Sequence, residues 1–565
     1  MNLVRTLVQN GTMKEADVAR LQDAIAQTPN RPLHSIIIEQ NFAKEEDVLP
    51  ILAEQFGMEL VDLTSFTVDP ETTRLMPSKL VHRRNLMPLS RLNGSIVVAT
   101  GDPFDVYAID ELQTLTGLNV HPVLASPREI TRLIKTHFGV GGETVTAMVQ
   151  EREAVELLEE LDADDSEIAK QAQEASVVRL VNEILMEAAN ERASDIHVEP
   201  EETALRIRYR IDGLLQTQNL PPEINRFQAA IISRIKIMAR LNIAEKRLPQ
   251  DGRIKMRVNN REIDVRVSIV PMIHGEGIVM RLLDKSRMVF NLKNVGMLPE
   301  TYTAFRKMID RPHGIVLVTG PTGSGKSTTL YSALNEIKEE TTKIITVEDP
   351  VEYQQEGISQ IQIHAKIGLT FAASLRSILR HDPDVILIGE MRDFETAEAG
   401  IQASLTGHLV FSTLHTNDTP SAFTRLIDMG IEPFLVSSTV EGVLAQRLVR
   451  TICVECKAPF EPHQSELPGD FPGVADGNPP KQLWKGKGCR KCHQTGFRGR
   501  IGIYELLVNT DVMKDLIVQR TNANVLRNEA LKNGMVTLRQ DGWKKVLNGV
   551  TTIEEVARVT AADMF

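Results

Sequence analysis

The residues Gly320, Pro321, Thr322, Gly323, Ser324, Gly325, Lys326 and Ser327 fit G-x-x-x-x-G-K-[ST], the spacing that cradles nucleotide phosphates. The glycines let main-chain N–H groups point inward at a polyphosphate, and a helix N-terminus adds positive partial charge. Lys326 is placed to reach the β- and γ-phosphates, and the Ser327 hydroxyl to ligate Mg²⁺. Thr328 completes the candidate nucleotide-binding set. The flanks agree with the motif. Gly314–Thr319 is an apolar run of strand length, and Thr328 to Lys338 reads as a helix.

Carboxylates follow at two points. Ile344–Glu352 reads as a strand ending in Glu348, Asp349 and Glu352, and Asp384–Glu390 as an apolar strand ending in Glu390. Ligands of open α/β sheets sit at the carboxyl ends of strands, where acids hold Mg²⁺ through water or orient an attacking water. Downstream of a phosphate loop, two such acidic strand ends make a Walker-type ATPase. A further buried strand is bracketed by His408 and His415, and this pair reads as a candidate γ-phosphate sensor.

Cys453, Cys456, Cys489 and Cys492 form a C-x₂-C…C-x₂-C set. Two thiolates from each knuckle make a closed tetrahedral site, which predicts structural Zn²⁺. The Pro- and Gly-rich stretch between the pairs must be a loop excursion.

The elements that position these groups require several domains. The chain has 565 residues, 42% hydrophobic and 25% charged, which predicts a globular protein of about three or four domains. A formal net charge of −11 argues against bulk nucleic-acid binding. The N-terminus has no apolar core of signal-peptide length, and no stretch has the composition of a membrane span, so a cytoplasmic protein is expected.

Residues 1–57 hold a weak repeat, Leu7–Val18 against Ile37–Val48, each unit reading as helix, turn, helix. Residues 58–138 read as a small α/β module and 139–175 as a linker, with an acidic run from Glu151 to Glu167. Residues 176–290 read as an α+β domain. It begins with an amphipathic helix from Ser176 to Arg192 and continues in alternating strands. Arg206, Arg208 and Arg210 alternate and so share one face. Such a stripe is solvated, binds nucleic acid or faces a phosphate site; the ATP site in the same chain favours the last. Residues 291–565 alternate strand and helix, which predicts a largely parallel sheet carrying the cysteine subdomain at about 450–500.

The phosphate loop, Val347–Glu352, Leu387–Asp393 and Thr406–Thr416 occur in one order that closely resembles the ATPases of bacterial type II secretion and type IV pilus assembly. Ala193–Pro200 and Leu248–Arg253 resemble further signatures of that family. The resemblance implies a multidomain α/β protein: a C-terminal RecA-like ATPase domain, a preceding PAS-like α+β domain, and an N-terminal helical repeat with a small α/β module. It implies a homohexamer that hydrolyses ATP with Mg²⁺. The partners it implies are an inner-membrane platform protein and a cytoplasmic-ring adaptor, with nucleotide between the arginine-bearing and motor domains. Glu352 matches the general base, Glu390 the Walker B glutamate, and His408 and His415 the His-box pair. Arg208, Arg210 and Arg253 are the matching charge-stabilising arginines. The tetracysteine agrees with an assembly motor rather than a retraction motor. The N-terminal repeat resembles tandem cyclic-di-GMP modules. However, Asn2-Leu3-Val4 and Pro32-Leu33-His34 stand where that motif has Arg-Leu-Gly, and Asn41 replaces the glycine matched by Gly11. We therefore expect the fold to be kept, with the arginine contact and the close backbone approach that cyclic-di-GMP uses missing at these positions, which puts its binding in doubt. A DNA-translocating motor, a small-molecule kinase and a nucleotide-gated scaffold share parts of this pattern.

Overall fold

The computed structural model describes the chain apart from residues 1, 16, 28–31, 65, 67, 70–71, 74–75, 77, 93, 139–174, 259–260, 285–289 and 561–565. The expected acidic linker falls almost wholly outside the described residues. The chain divides into two compact units, Met1–Asp284 and Lys285–Phe565.

The first unit opens with four helices, Asn2–Gln9, Asp17–Gln27, Leu33–Glu39 and Glu45–Phe56. The repeat is legible in their packing. Leu7 and Ile37 are equivalent positions and both are fully buried, and the equivalent pairs Met13 with Ala43 and Leu21 with Ile51 are buried as well. Strands β1 (Met87–Leu92), β2 (Ser95–Thr100) and β3 (Asn119–Leu124) then form a small sheet, β2 pairing antiparallel with β1 and parallel with β3. The parallel pair needs a crossover, and the helix Val106–Thr116 supplies it. Asp105 caps that helix by accepting from the Ala108 amide, and Gly117 ends it in the left-handed region.

The helix Ala175–Asn190 leads into six strands: β4 (Asp195–Pro200), β5 (Leu205–Ile211), β6 (Leu214–Thr217), β7 (Gln250–Val258), β8 (Arg261–Met272) and β9 (Gly275–Asp284). They order as β6-β5-β4-β9-β8-β7, all antiparallel. Alternation sorts the two faces. Leu205, Ile207 and Tyr209 join Val177, Leu180, Val181, Ile184 and Ile231 in one core. The intervening arginines point away from it. The segment Ala193–Pro200 is itself largely strand, adjoining the sheet's middle.

The second unit contains β10 (Gly314–Thr319), β11 (Ile344–Glu348), β12 (Ser359–Gln362), β13 (Val385–Ile388), β14 (Leu409–Leu414), β15 (Val440–Ile452), β16 (Lys457–Phe460), β17 (Leu483–Gly486) and β18 (Phe497–Val508). Seven of them order as β12-β11-β13-β14-β10-β15-β18. All pairs are parallel except β15–β18. Strands β10, β11, β13 and β14 are buried along their whole length, as a sheet covered on both faces requires.

Candidate functional site: a phosphate loop, an arginine row and a cysteine cluster

Strand β10 ends at Thr319, whose hydroxyl contacts the Leu414 and Thr416 carbonyl oxygens at 3.1 and 3.0 Å. The chain then turns through Gly320, Gly323 and Gly325, with φ of +148°, +78° and +91°. A β-carbon on Gly320 would lie 2.6 Å from the Gln446 carbonyl oxygen, so both space and backbone demand glycine there. The helix Lys326–Ile337 starts directly behind, with no side chain capping its first amides. Those amides are available to an anion. Lys326 Nζ donates to the Gly320 and Pro321 carbonyls at 2.7 and 3.1 Å. Burial, reinforced by Arg447 and opposed by Glu390, pushes the Lys326 ammonium down to about 8. Pro321, Thr322 and Ser327 are exposed, while the buried Ser324 hydroxyl has no hydrogen-bond partner among the described residues. An exposed hydroxyl next to the lysine and an orphaned buried one beside free amides fit a bound triphosphate and its Mg²⁺.

Because β10, β13 and β14 are parallel and adjacent, their carboxyl ends converge. Thr319 pairs with Leu414 and Ile388 with Ser412, so Gly320, His415 and Glu390 arrive side by side. Glu390 accepts from Arg392 at 2.5 Å and lies 3.3 Å from His415 Nε2. Glu352 is on the loop after β11. That loop is tied to the phosphate-loop helix through Tyr331, whose hydroxyl donates to the buried Glu348 and faces the Tyr353 and Glu352 amides. Thr346 and Gln360 also donate to Glu348.

His408 is a correction. It precedes β14, so the strand separates it from His415 by about 20 Å at the usual rise per residue. Its Nδ1 lies 2.8 Å from the Ala403 carbonyl, and its own carbonyl accepts from the Gly314 amide where β10 begins. Flanking one strand made the two histidines look like a pair. Strand direction puts only His415 at the phosphate loop of its own chain.

In the first unit, Arg208 pairs with Glu199 at 2.6 Å. Arg210, Asp195, Arg281, Arg266 and Arg253 occupy successive register positions across β5, β4, β9, β8 and β7. Asp195 holds Arg281 at 3.0 Å and Arg210 at 3.7 Å. Arg253, Arg266 and Arg281 line a hollow of about 440 Å³. Four guanidinium groups thus share one row with a single carboxylate, an arrangement suited to anions. Reading the residues in chain order missed Arg266 and Arg281. Alternation in Arg261–Val267 marks Arg266 as lying on the arginine face, but only strand order places it beside Arg253.

The four cysteine sulfurs lie within 4.8 Å of one another. Cys453–Cys489, Cys456–Cys492 and Cys489–Cys492 are separated by 3.7, 3.8 and 3.6 Å. The edge of a sulfur tetrahedron around Zn²⁺ is about 3.8 Å for Zn–S bonds of about 2.3 Å, so the donor set fits zinc. The antiparallel β16–β17 pair closes the excursion and brings the two knuckles together. Its loop is anchored by Phe471, which packs on the buried Trp543 with centroids 5.2 Å apart.

Compared with known families, residues 170–558 match the type II/IV secretion system protein family. The chain belongs to that family. Residues 56–144 match the MshEN domain, a range that takes in the small α/β module. Among relatives of the secretion family, the chain is 45% identical over 531 residues to the type IV pilus assembly ATPase PilB of Myxococcus xanthus, covering 94% of each. It is 43% identical over 570 residues to type II secretion system protein E of Xanthomonas campestris, covering 99% of this chain and 98% of that protein. The X-ray structure of the Legionella pneumophila ATPase DotB shares the fold, with a TM-score of 0.50 at 21% identity over 67% of this chain and 94% of that one. The multidomain α/β reading with a C-terminal RecA-like domain therefore holds. Among the described residues, no helix of this secretion-family chain is long and apolar enough to cross a membrane.

Proposed function

We propose that this ATPase of the type II/IV secretion family works as a homohexamer on the cytoplasmic side of the inner membrane. It drives a platform protein, assisted by a cytoplasmic-ring adaptor, to extend a type IV pilus or a type II pseudopilus. The convergence of the complete phosphate loop, Glu390 and His415 at adjacent parallel strand ends carries this reading. Near-full-length likeness to a pilus assembly ATPase and a type II secretion protein supports it.

The loop amides of Gly320–Thr328 and Lys326 hold the phosphates. Ser327 and Glu390 would hold Mg²⁺, which would supply charge neutralisation to the phosphates. Glu352 takes the proton of the attacking water, and His415 orients Glu390. Arg208, Arg210 and Arg253, joined by Arg266 and Arg281, provide the positive charge offered to an anion. The net charge of −11 supports a protein rather than a nucleic-acid track.

The test is steady-state ATPase activity of the full chain over a concentration series, with Glu352→Gln and Lys326→Ala alongside. We expect activity rising steeply with protein concentration and a loss of about 100-fold or more in each variant. Activity proportional to concentration at every dilution, or an unaffected Glu352→Gln, would overturn the hexameric motor reading.

A further inference from the structure

Strand β15 outruns its neighbour. It pairs with β10 as far as Thr319 opposite Ala445, and β10 stops there. The next two residues of β15, Gln446 and Arg447, consequently flank the phosphate loop rather than another strand. Gln446 is buried. Its Oε1 accepts from Thr329 Oγ1 at 2.8 Å, and its Nε2 lies 2.8 Å from the place a β-carbon would take on Gly325. Arg447 reaches the other end of the loop, with Nη1 3.1 Å from the β-carbon position of Gly320.

The partners of Arg447 are unusual for a half-buried guanidinium. Nη1 donates to the Gln446 carbonyl at 3.3 Å, and Nη2 to the carbonyl and side-chain oxygens of Asn417 at 3.2 and 3.1 Å. Among the described residues, no carboxylate lies within ion-pair distance. Asp418 pairs with Arg527 at 3.6 Å and accepts from the Ser421 amide, while Glu505 accepts from the Thr419 amide and hydroxyl. These acids act on Arg447 only from a distance, and burial depresses its basicity. A guanidinium partly withdrawn from water without a counter-anion is costly unless an anion arrives.

The direction of the loop identifies the anion. Lysine of this motif serves the β- and γ-phosphates, and Lys326 Nζ rests on Gly320 and Pro321. The Gly320 end of the loop is therefore the terminal-phosphate end. Resting on the ATP-site reading above, we propose that Arg447 is a γ-phosphate-binding residue contributed in cis. It would distinguish nucleoside triphosphate from diphosphate, independently of the arginine row on the other unit.

The experiment measures binding of ATPγS and of ADP, each with Mg²⁺, to the full-length wild type, Arg447→Ala and Arg447→Lys. Arg447→Ala should weaken ATPγS by about tenfold or more, the scale of one lost charge-assisted contact, and change ADP by less than about twofold. Arg447→Lys should recover part of the ATPγS affinity, because charge returns without the fork. Equal weakening of both nucleotides would mean that Arg447 only braces the loop and would overturn the proposal, as would no change in either. If the wild type binds neither nucleotide, the ATPase reading itself fails, and this inference with it.

Discussion

The phosphate loop and the cysteine cluster are both small constellations suited to a charged guest, yet they are built by opposite means. The loop is contiguous, and its geometry comes from three glycines between one strand and one helix. The cluster joins residues far apart in the chain, and its geometry exists only when β16 and β17 pair. A binding site made of backbone conformation loses its ligand when that conformation is denied. A site made of tertiary closure loses its fold when the guest is removed. The two regions should therefore fail in different ways.

The largest contrast is expected at the cysteines. Cys456→Ser with Cys492→Ser should abolish zinc in metal analysis of the purified protein. Hydrogen exchange should show lost protection across residues 453–496, with β10, β11, β13 and β14 still protected. Structural zinc contributes about 10 kcal/mol or more to the folding of small domains, so a local collapse is the expected scale. Unchanged zinc content would end the metal assignment.

Gly320→Ala should do the reverse. Its β-carbon would meet the Gln446 carbonyl at 2.6 Å at a φ of +148°. Calorimetric titration should show ATP affinity down by about 100-fold, with zinc retained; the strain of a disfavoured backbone is about 1–3 kcal/mol, and misplaced amides add to it. Retained affinity would mean that the loop tolerates a side chain at its tightest point.

A pH series separates the two further. Lys326 is depressed to about 8, so its proton is present below that value and lost as pH rises through it. Nucleotide binding needs the ammonium. Affinity should be flat from about pH 6 to 7.5 and then fall by up to about tenfold per pH unit. A Lys326→Arg variant should flatten the profile, because a guanidinium stays protonated.

The smallest expected effect lies C-terminal to both regions in sequence. Glu555 is buried beside Arg450 on β15 and Arg558, which outweigh its burial and hold its carboxyl down to about 2. That depressed pKa supplies stability fully present above the ordinary glutamate value of 4.5 and lost as pH falls towards about 2. Glu555→Gln should cost about 1–3 kcal/mol at neutral pH in denaturant unfolding, and less in acid. An equal cost at both pH values would show a packing effect instead.

Much of the candidate site was readable because its signals are local. The loop, the paired cysteines and the alternation of Arg206, Arg208 and Arg210 are patterns of covalent spacing. The two histidines show where such reading fails. Their flanking positions on β14 are equally visible in the sequence, but a parallel strand has one functional end. His415 reaches it, and His408 does not. The N-terminal repeat was legible through its equivalent apolar positions, and those positions form the core of the helical module.

By itself, the sequence determined where a phosphate loop must form, which four thiols are available to a metal, and which residues of each strand face a core. Periodicity and motif spacing carry that information within a few residues. Tertiary structure alone decided the row Arg210–Asp195–Arg281–Arg266–Arg253, the meeting of Glu390 with His415, and the arrival of Arg447 at Gly320. Each depends on the order and register in which distant strands pair. That choice is set by the joint burial of many side chains, so no local pattern states it.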